Sequence, residues 1–85
     1  MKVSIITATY NSASYIAEAL RSIQTQTYLN IELVLIDGGS TDDTIKIVDE
    51  VFTREKIVVS EKDKGIYDAL NKGISKCTGD IIGFV

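Results

Sequence analysis

Hydrophobic and polar positions along the chain alternate between two periods. The segment KVSIITA (2–8) is a nearly continuous apolar and β-branched run, the pattern of a strand covered on both faces. From Ser12 to about Thr27 the spacing changes: Ile16, Leu20 and Ile23 fall at i, i+4 and i+7, while Glu18 and Arg21 lie off that stripe. This predicts an amphipathic helix. IELVLID (31–37) reads as a second strand, and Ser40 with an acid three residues on reads as a capping-box start for a second helix. Ile45, Val48 and Val51 or Phe52 supply its buried stripe. KIVVS (56–60) is a third strand. Ile66, Leu70 and Ile74 stripe a third helix, with Lys76 in its last turn and Gly79 as its stop. IIGFV (81–85) opens a fourth strand.

Strands alternating with helices through short connections predict a Rossmann-like, three-layer α/β/α fold with a mostly parallel sheet and right-handed crossovers. For a strand order 3-2-1-4, ligands are expected outside the carboxyl ends of the strands, where the order reverses. The segments at that end are TYNS, DGGS and EKDKG, with whatever follows strand four lying beyond Val85. Residues 1–85 therefore read as the incomplete, N-terminal part of one domain.

Composition narrows the chemistry. The chain has 85 residues, 45% of them hydrophobic and 25% charged, the balance of an ordered globular domain. Its net charge of −3 is dispersed and gives no nucleic-acid footprint or attraction to an anionic membrane. The single cysteine, Cys77, excludes an intrachain disulfide, and the lack of histidine removes imidazole catalysis and the commonest zinc ligand. A metal would need oxygen ligands, hence a hard cation such as magnesium or manganese. No run is long enough to span a bilayer and no signal-peptide core is present, so a cytoplasmic location is expected.

Three nucleotide-binding designs are disfavoured. The turn after strand one, TATYNS, has no glycine, so it lacks the G-x-G-x-x-G of a dinucleotide fold; a P-loop is also missing. Acids clustered at the end of strand one, as a phosphoacceptor domain would want, are absent as well. What remains is a polar turn after strand one and Asp37 closing strand two. An ionised Asp37 accepts only, which suits a ligand N–H or ribose hydroxyls. It could equally hydrogen-bond the backbone of its own turn. Spacing alone leaves both readings open, while Gly38, Gly39 and Ser40 need only the turn and the helix start.

The blocks VSIITATYN, IELVLIDGGSTDDT and DKGIYDALNKGISKCTGDIIGFV, in that order, resemble the N-terminal half of a family 2 glycosyltransferase of the GT-A fold. The likeness is greatest to the bacterial type that builds O-antigen and capsular polysaccharide. The resemblance implies that Thr7, Thr9, Tyr10 and Asn11 wall the nucleoside of a nucleotide sugar, UDP-linked by preference. It makes Asp37 the base or ribose acceptor, places Asp63, Lys64 and Gly65 along the base and diphosphate, and leaves Asn71 shared between ligand and loop. Departures from the family pattern are Gly38 where a second acid is usual, Asp43 for a glycine, Ala8 for a proline and Leu70 for an arginine.

The resemblance further implies a divalent cation held by an acidic motif after strand four, and a later general base that activates a saccharide or lipid-linked acceptor. Both are expected beyond Val85, so residues 1–85 alone should not turn over and should bind neither metal nor nucleotide sugar tightly. The complete protein is expected to act in cell-surface polysaccharide synthesis, peripheral at the inner face of the membrane. A nucleotidyltransferase-like or a non-catalytic nucleotide-binding α/β module is the alternative. An uncovered fourth strand predicts self-association.

Overall fold

A computed structural model describes residues 2–25, 30–62, 65–79 and 81–84, with 66, 67 and 81–84 described by backbone alone. The elements run β1 (Val3–Thr9), α1 (Ile16–Gln24), β2 (Ile31–Asp37), α2 (Thr44–Val51), β3 (Lys56–Ser60), α3 (Ile66–Lys76) and β4 (Ile81–Phe84). The four strands form one parallel sheet in the order β3-β2-β1-β4, as the alternation predicts. β1 pairs with β2 from Val3↔Ile31 to Thr9↔Asp37, and β2 pairs with β3 from Leu33↔Lys56 to Asp37↔Ser60.

The period-two geometry of a strand sends alternate side chains to opposite faces, and each face has its own core. Leu33 and Leu35 of β2 pack with Ile16, Leu20 and Ile23 of α1 and with Val48 and Phe52 at α2. Val34 and Ile36, one residue out of step, pack with Ile6 of β1 and Ala69 of α3. β2 is buried at all seven positions, whereas the outer strand β3 is partly exposed throughout. Each fully buried large aliphatic side chain contributes about 1.5–3 kcal/mol, so β2 is the energetic centre of the sheet.

The third helix departs from its expected stripe. Ile74 is 48% exposed, and the buried contacts come from Ala69 and Gly73. A Cβ added at Gly73 would stand 2.6 Å from Ile6 Cγ2, so the small residues let α3 lie close against β1 and leave Leu70 and Ile74 on its flank. The helix ends at Lys76, with Cys77 as C-cap, short of the Gly79 expected from the sequence. The other two helices also start late. α1 begins at Ile16 rather than Ser12, and its expected extension to Thr27 lies outside the described residues. α2 begins at Thr44, with Asp43 as an N-cap that makes no side-chain hydrogen bond, so Ser40 does not head the helix.

The amino-terminal end of the sheet holds a buried carboxylate. Glu32 is 1% exposed and accepts hydrogen bonds from Ser4 Oγ (2.7 Å), the Thr78 N–H (3.0 Å) and Thr78 Oγ1 (2.8 Å), with Lys2 Nζ at 3.6 Å. Burial pushes its pKa up, but the Ser4 and Thr78 hydrogen bonds and the Lys2 charge outweigh it and lower it to about 2. The network fastens the α3–β4 connection to β1 and β2. No helix among the described residues is long and apolar enough to cross a membrane.

Candidate functional site

The loops at the carboxyl ends of the strands enclose an open cleft of about 730 Å³. β1 and its turn supply Ala8, Thr9 and Tyr10, and the loop after β2 supplies Gly38 and Gly39. Lys62 follows β3, Gly65 and Ala69 belong to the start of α3, and Tyr15 precedes α1. Small residues therefore line much of the cleft and leave its space unfilled. Tyr10 and Tyr15 are each 61% exposed on it. Lys62 is the one charged side chain among the described lining residues.

Asp37 lies beneath this cleft rather than on it. It is fully buried, and its carboxylate accepts from Thr9 Oγ1 (2.7 Å), Ser40 Oγ (2.5 Å), Ser60 Oγ (2.9 Å) and the N–H groups of Gly39 (3.1 Å) and Ser40 (2.7 Å). Five donors take up the acceptor capacity of one carboxylate. Burial raises the pKa, but the bonds from Ser40, Thr9 and Ser60 prevail and hold it below the usual carboxylate value. In this structure Asp37 does the work of a turn residue, joining the ends of β1, β2 and β3. The carboxylate reading drawn from the family resemblance has no free lone pair to rest on.

The other candidates divide. Thr9, Tyr10 and Gly65 line the cleft; Gly65 has φ 113°, a backbone that favours glycine. Thr7 does not line it. It pairs in register with Leu35, on the face covered by α1 and α2, where its hydroxyl is buried without a partner among the described residues. Asn11 turns away: its Oδ1 accepts the Thr41 N–H (2.8 Å), and its backbone takes a left-handed φ of 47°. Asn71 is exposed on α3 and does not line the cleft. Asp63 and Lys64 lie outside the described residues.

Sequence reasoning passed over Ala8, Tyr15, Gly38, Gly39, Lys62 and Ala69. The two glycines carried a usable signal, since a pair after a strand also marks a place where another group can approach the backbone. Gly39 has φ 84°, and a Cβ there would stand 3.4 Å from the Lys62 amide nitrogen. Tyr15 carried none, because it sits where an amphipathic helix was expected to be running. Lys72 bridges Glu61 (3.0 Å) and Asp68 (3.3 Å), tying α3 to the residue after β3.

The geometry offers a planar ring two exposed phenol rings, a lining free of bulky side chains at Gly38, Gly39 and Gly65, and one cation. Among the described residues, no group of three or more His, Cys, Asp or Glu could hold a metal ion. Asp37 has no spare oxygen lone pair, and Asp42 is bonded to Thr44 and the Ala13 N–H. These residues do not fit a divalent cation.

A parallel three-layer sheet with a cleft at its carboxyl ends defines an α/β ligand-binding domain. The family model for Glycosyl transferase family 2 matches residues 4–85, and the chain belongs to that family. It is 38% identical to an uncharacterized glycosyltransferase of Haemophilus influenzae over 98% of this chain and 34% of that protein. It is 41% identical to a PGL/p-HBAD biosynthesis glycosyltransferase of Mycobacterium tuberculosis, over 96% of this chain and 33% of the relative. The chain thus spans about a third of the length of the curated relatives it matches. Among solved structures, S. aureus TarS 1–349 in complex with UDP-GlcNAc superposes with a TM-score of 0.87 at 31% identity, covering 100% of this chain and 26% of that one. A mannosyltransferase from Pyrobaculum calidifontis in complex with GDP-Man and Mn2+ superposes with a TM-score of 0.85 at 32% identity, over 95% and 26%. The fold is that of the GT-A glycosyltransferases.

Proposed function

We propose that this chain is the nucleotide-sugar-binding part of a glycosyltransferase that moves a sugar from a nucleoside-diphosphate donor to a saccharide or lipid-linked acceptor. The observation that carries the reading is the cleft itself: small-residue lining, two exposed tyrosines and a lysine, at the strand ends where such sheets bind ligands. Family membership and structural neighbours bound to UDP-GlcNAc and GDP-Man support it.

In this reading a nucleobase lies against Tyr10, with Thr9 and Gly65 beside it, and Lys62 faces the diphosphate. Asp63 and Lys64, from the same connection after β3, border the base and diphosphate. Asp37 shapes the floor without touching the ligand. A uridine diphosphate sugar is the preferred donor, and the polysaccharide made is of the cell surface, built at the cytoplasmic face of the membrane. A divalent cation would offset the charge of the leaving diphosphate; its ligands and the general base would come from outside the described residues.

An NMR titration of the full chain with UDP, GDP and ADP tests the binding. Saturable shifts of the Tyr10, Gly38 and Gly65 amides are expected, and they should weaken in Tyr10→Ala. Absence of shifts with all three diphosphates contradicts the reading.

A further inference from the structure

The loop between β2 and α2 reaches across to the turn between β1 and α1 and takes three consecutive backbone amides. The Asn11 N–H donates to Ser40 Oγ (2.8 Å), the Ser12 N–H to Thr44 Oγ1 (2.8 Å) and the Ala13 N–H to Asp42 Oδ2 (3.1 Å). The Thr41 N–H donates back to Asn11 Oδ1 (2.8 Å). Each acceptor hydroxyl is itself oriented, because Ser40 Oγ donates to Asp37 and Thr44 Oγ1 donates to Asp42.

Asn11 takes a left-handed φ of 47°, a backbone few residues other than glycine and asparagine adopt. A tyrosine stands on either side of the held segment. Tyr10 precedes it, Tyr15 follows it, and both are 61% exposed on the cleft. Ser12 couples them: its hydroxyl meets Tyr15 Oη at 3.0 Å and donates to the Tyr10 carbonyl at 3.3 Å. Fixing residues 11–13 therefore fixes the backbone that aims both rings. A ring held before the ligand arrives does not have to be ordered on binding.

We propose that Ser40, Asp42 and Thr44 are positioning residues of the cleft, which clasp the β1–α1 turn and hold Tyr10 and Tyr15 as a preformed aromatic wall for the ligand. The proposal rests on the reading of the cleft as a nucleotide site. None of the three lines the cleft, so each acts through the turn.

Amide hydrogen exchange and UDP titration of the full chain test it together. In the unaltered chain the Asn11, Ser12 and Ala13 amides exchange slowly. Asp42→Ala, at an exposed position, and Ser40→Ala speed exchange at these amides, shift the Tyr10 and Tyr15 ring resonances and weaken UDP binding by about fivefold, the scale of one lost hydrogen bond. Thr44→Ser keeps the hydroxyl and retains slow exchange and affinity. Ser75→Ala, whose hydroxyl bonds the Lys72 carbonyl on α3, changes neither. Faster exchange with unchanged affinity overturns the proposal, as does rapid exchange at these amides in the unaltered chain. Slow amides in an unaltered chain that binds no nucleoside diphosphate instead overturn the nucleotide reading beneath it.

Discussion

Two buried carboxylates sit at opposite ends of β2, and each is solvated largely by hydroxyl and amide donors. At Asp37 five such bonds converge, so exchanging one oxygen for an NH2 group sets donor against donor. Asp37→Asn is expected to lower stability by about 2–3 kcal/mol, the scale for leaving a buried charged-group network unmatched. A urea midpoint that stays in place would return Asp37 to the role of a ligand contact. Glu32 gives the pH dependence. Its pKa is about 2 in the folded chain against 4.5 ordinarily, so the unfolded chain binds the extra proton and stability rises with pH. The contribution is full above the ordinary value and is lost as pH falls from there through about 2; at about 1.4 kcal/mol per unit it is on the order of 3 kcal/mol. The stability difference between the unaltered chain and Glu32→Gln should shrink over that window. A difference independent of pH would show that folding leaves the Glu32 pKa unshifted.

Among the elements, α3 shows packing prevailing over propensity. Gly73 lies in the helix interior, where alanine would gain about 1 kcal/mol. The added Cβ would stand 2.6 Å from Cγ2 of Ile6, a stiff β-branched side chain in the core, and overpacking of this kind costs about 1–3 kcal/mol. Gly73→Ala is therefore expected to lower the thermal midpoint by a few degrees, and a raised midpoint would mean that α3 can lift from the sheet without loss. The strands are the elements most legible in the sequence: 31–37 and 56–60 fall where the apolar runs place them. The starts of α1 and α2 were not, because Ser12 and Ser40, where the two helices were expected to begin, join two loops in the fold.

At the scale of the whole molecule, the sheet has two outer strands, β3 and β4. β3 ends in Ser60, bonded to Asp37, and its first residue Lys56 bonds the Phe52 carbonyl. β4 pairs with β1 on one side, and the IIGFV run it belongs to has neither charge nor proline to discourage pairing. The 48%-exposed Ile74 on α3 adds apolar surface. Residues 1–85 are expected to dimerise or form larger species as concentration rises. Light scattering across a concentration series checks this, and a monodisperse monomer at high concentration would contradict it.

The order of strands and helices, the parallel sheet and the two apolar faces were determined by the sequence itself, because each rests on periodicity over neighbouring residues. The roles of single polar side chains were decided by the tertiary structure. Thr7 and Thr9 look alike in sequence and share one face of β1, yet Thr7 lies within the closed layer and Thr9, at the strand's end, lines the cleft. Asp37 reads as a free carboxylate beside two glycines until β1 and β3 bring Thr9 and Ser60 to it, 28 and 23 residues away. Hydrogen-bond acceptors are satisfied by whatever the fold brings near, and that proximity is not written in local spacing.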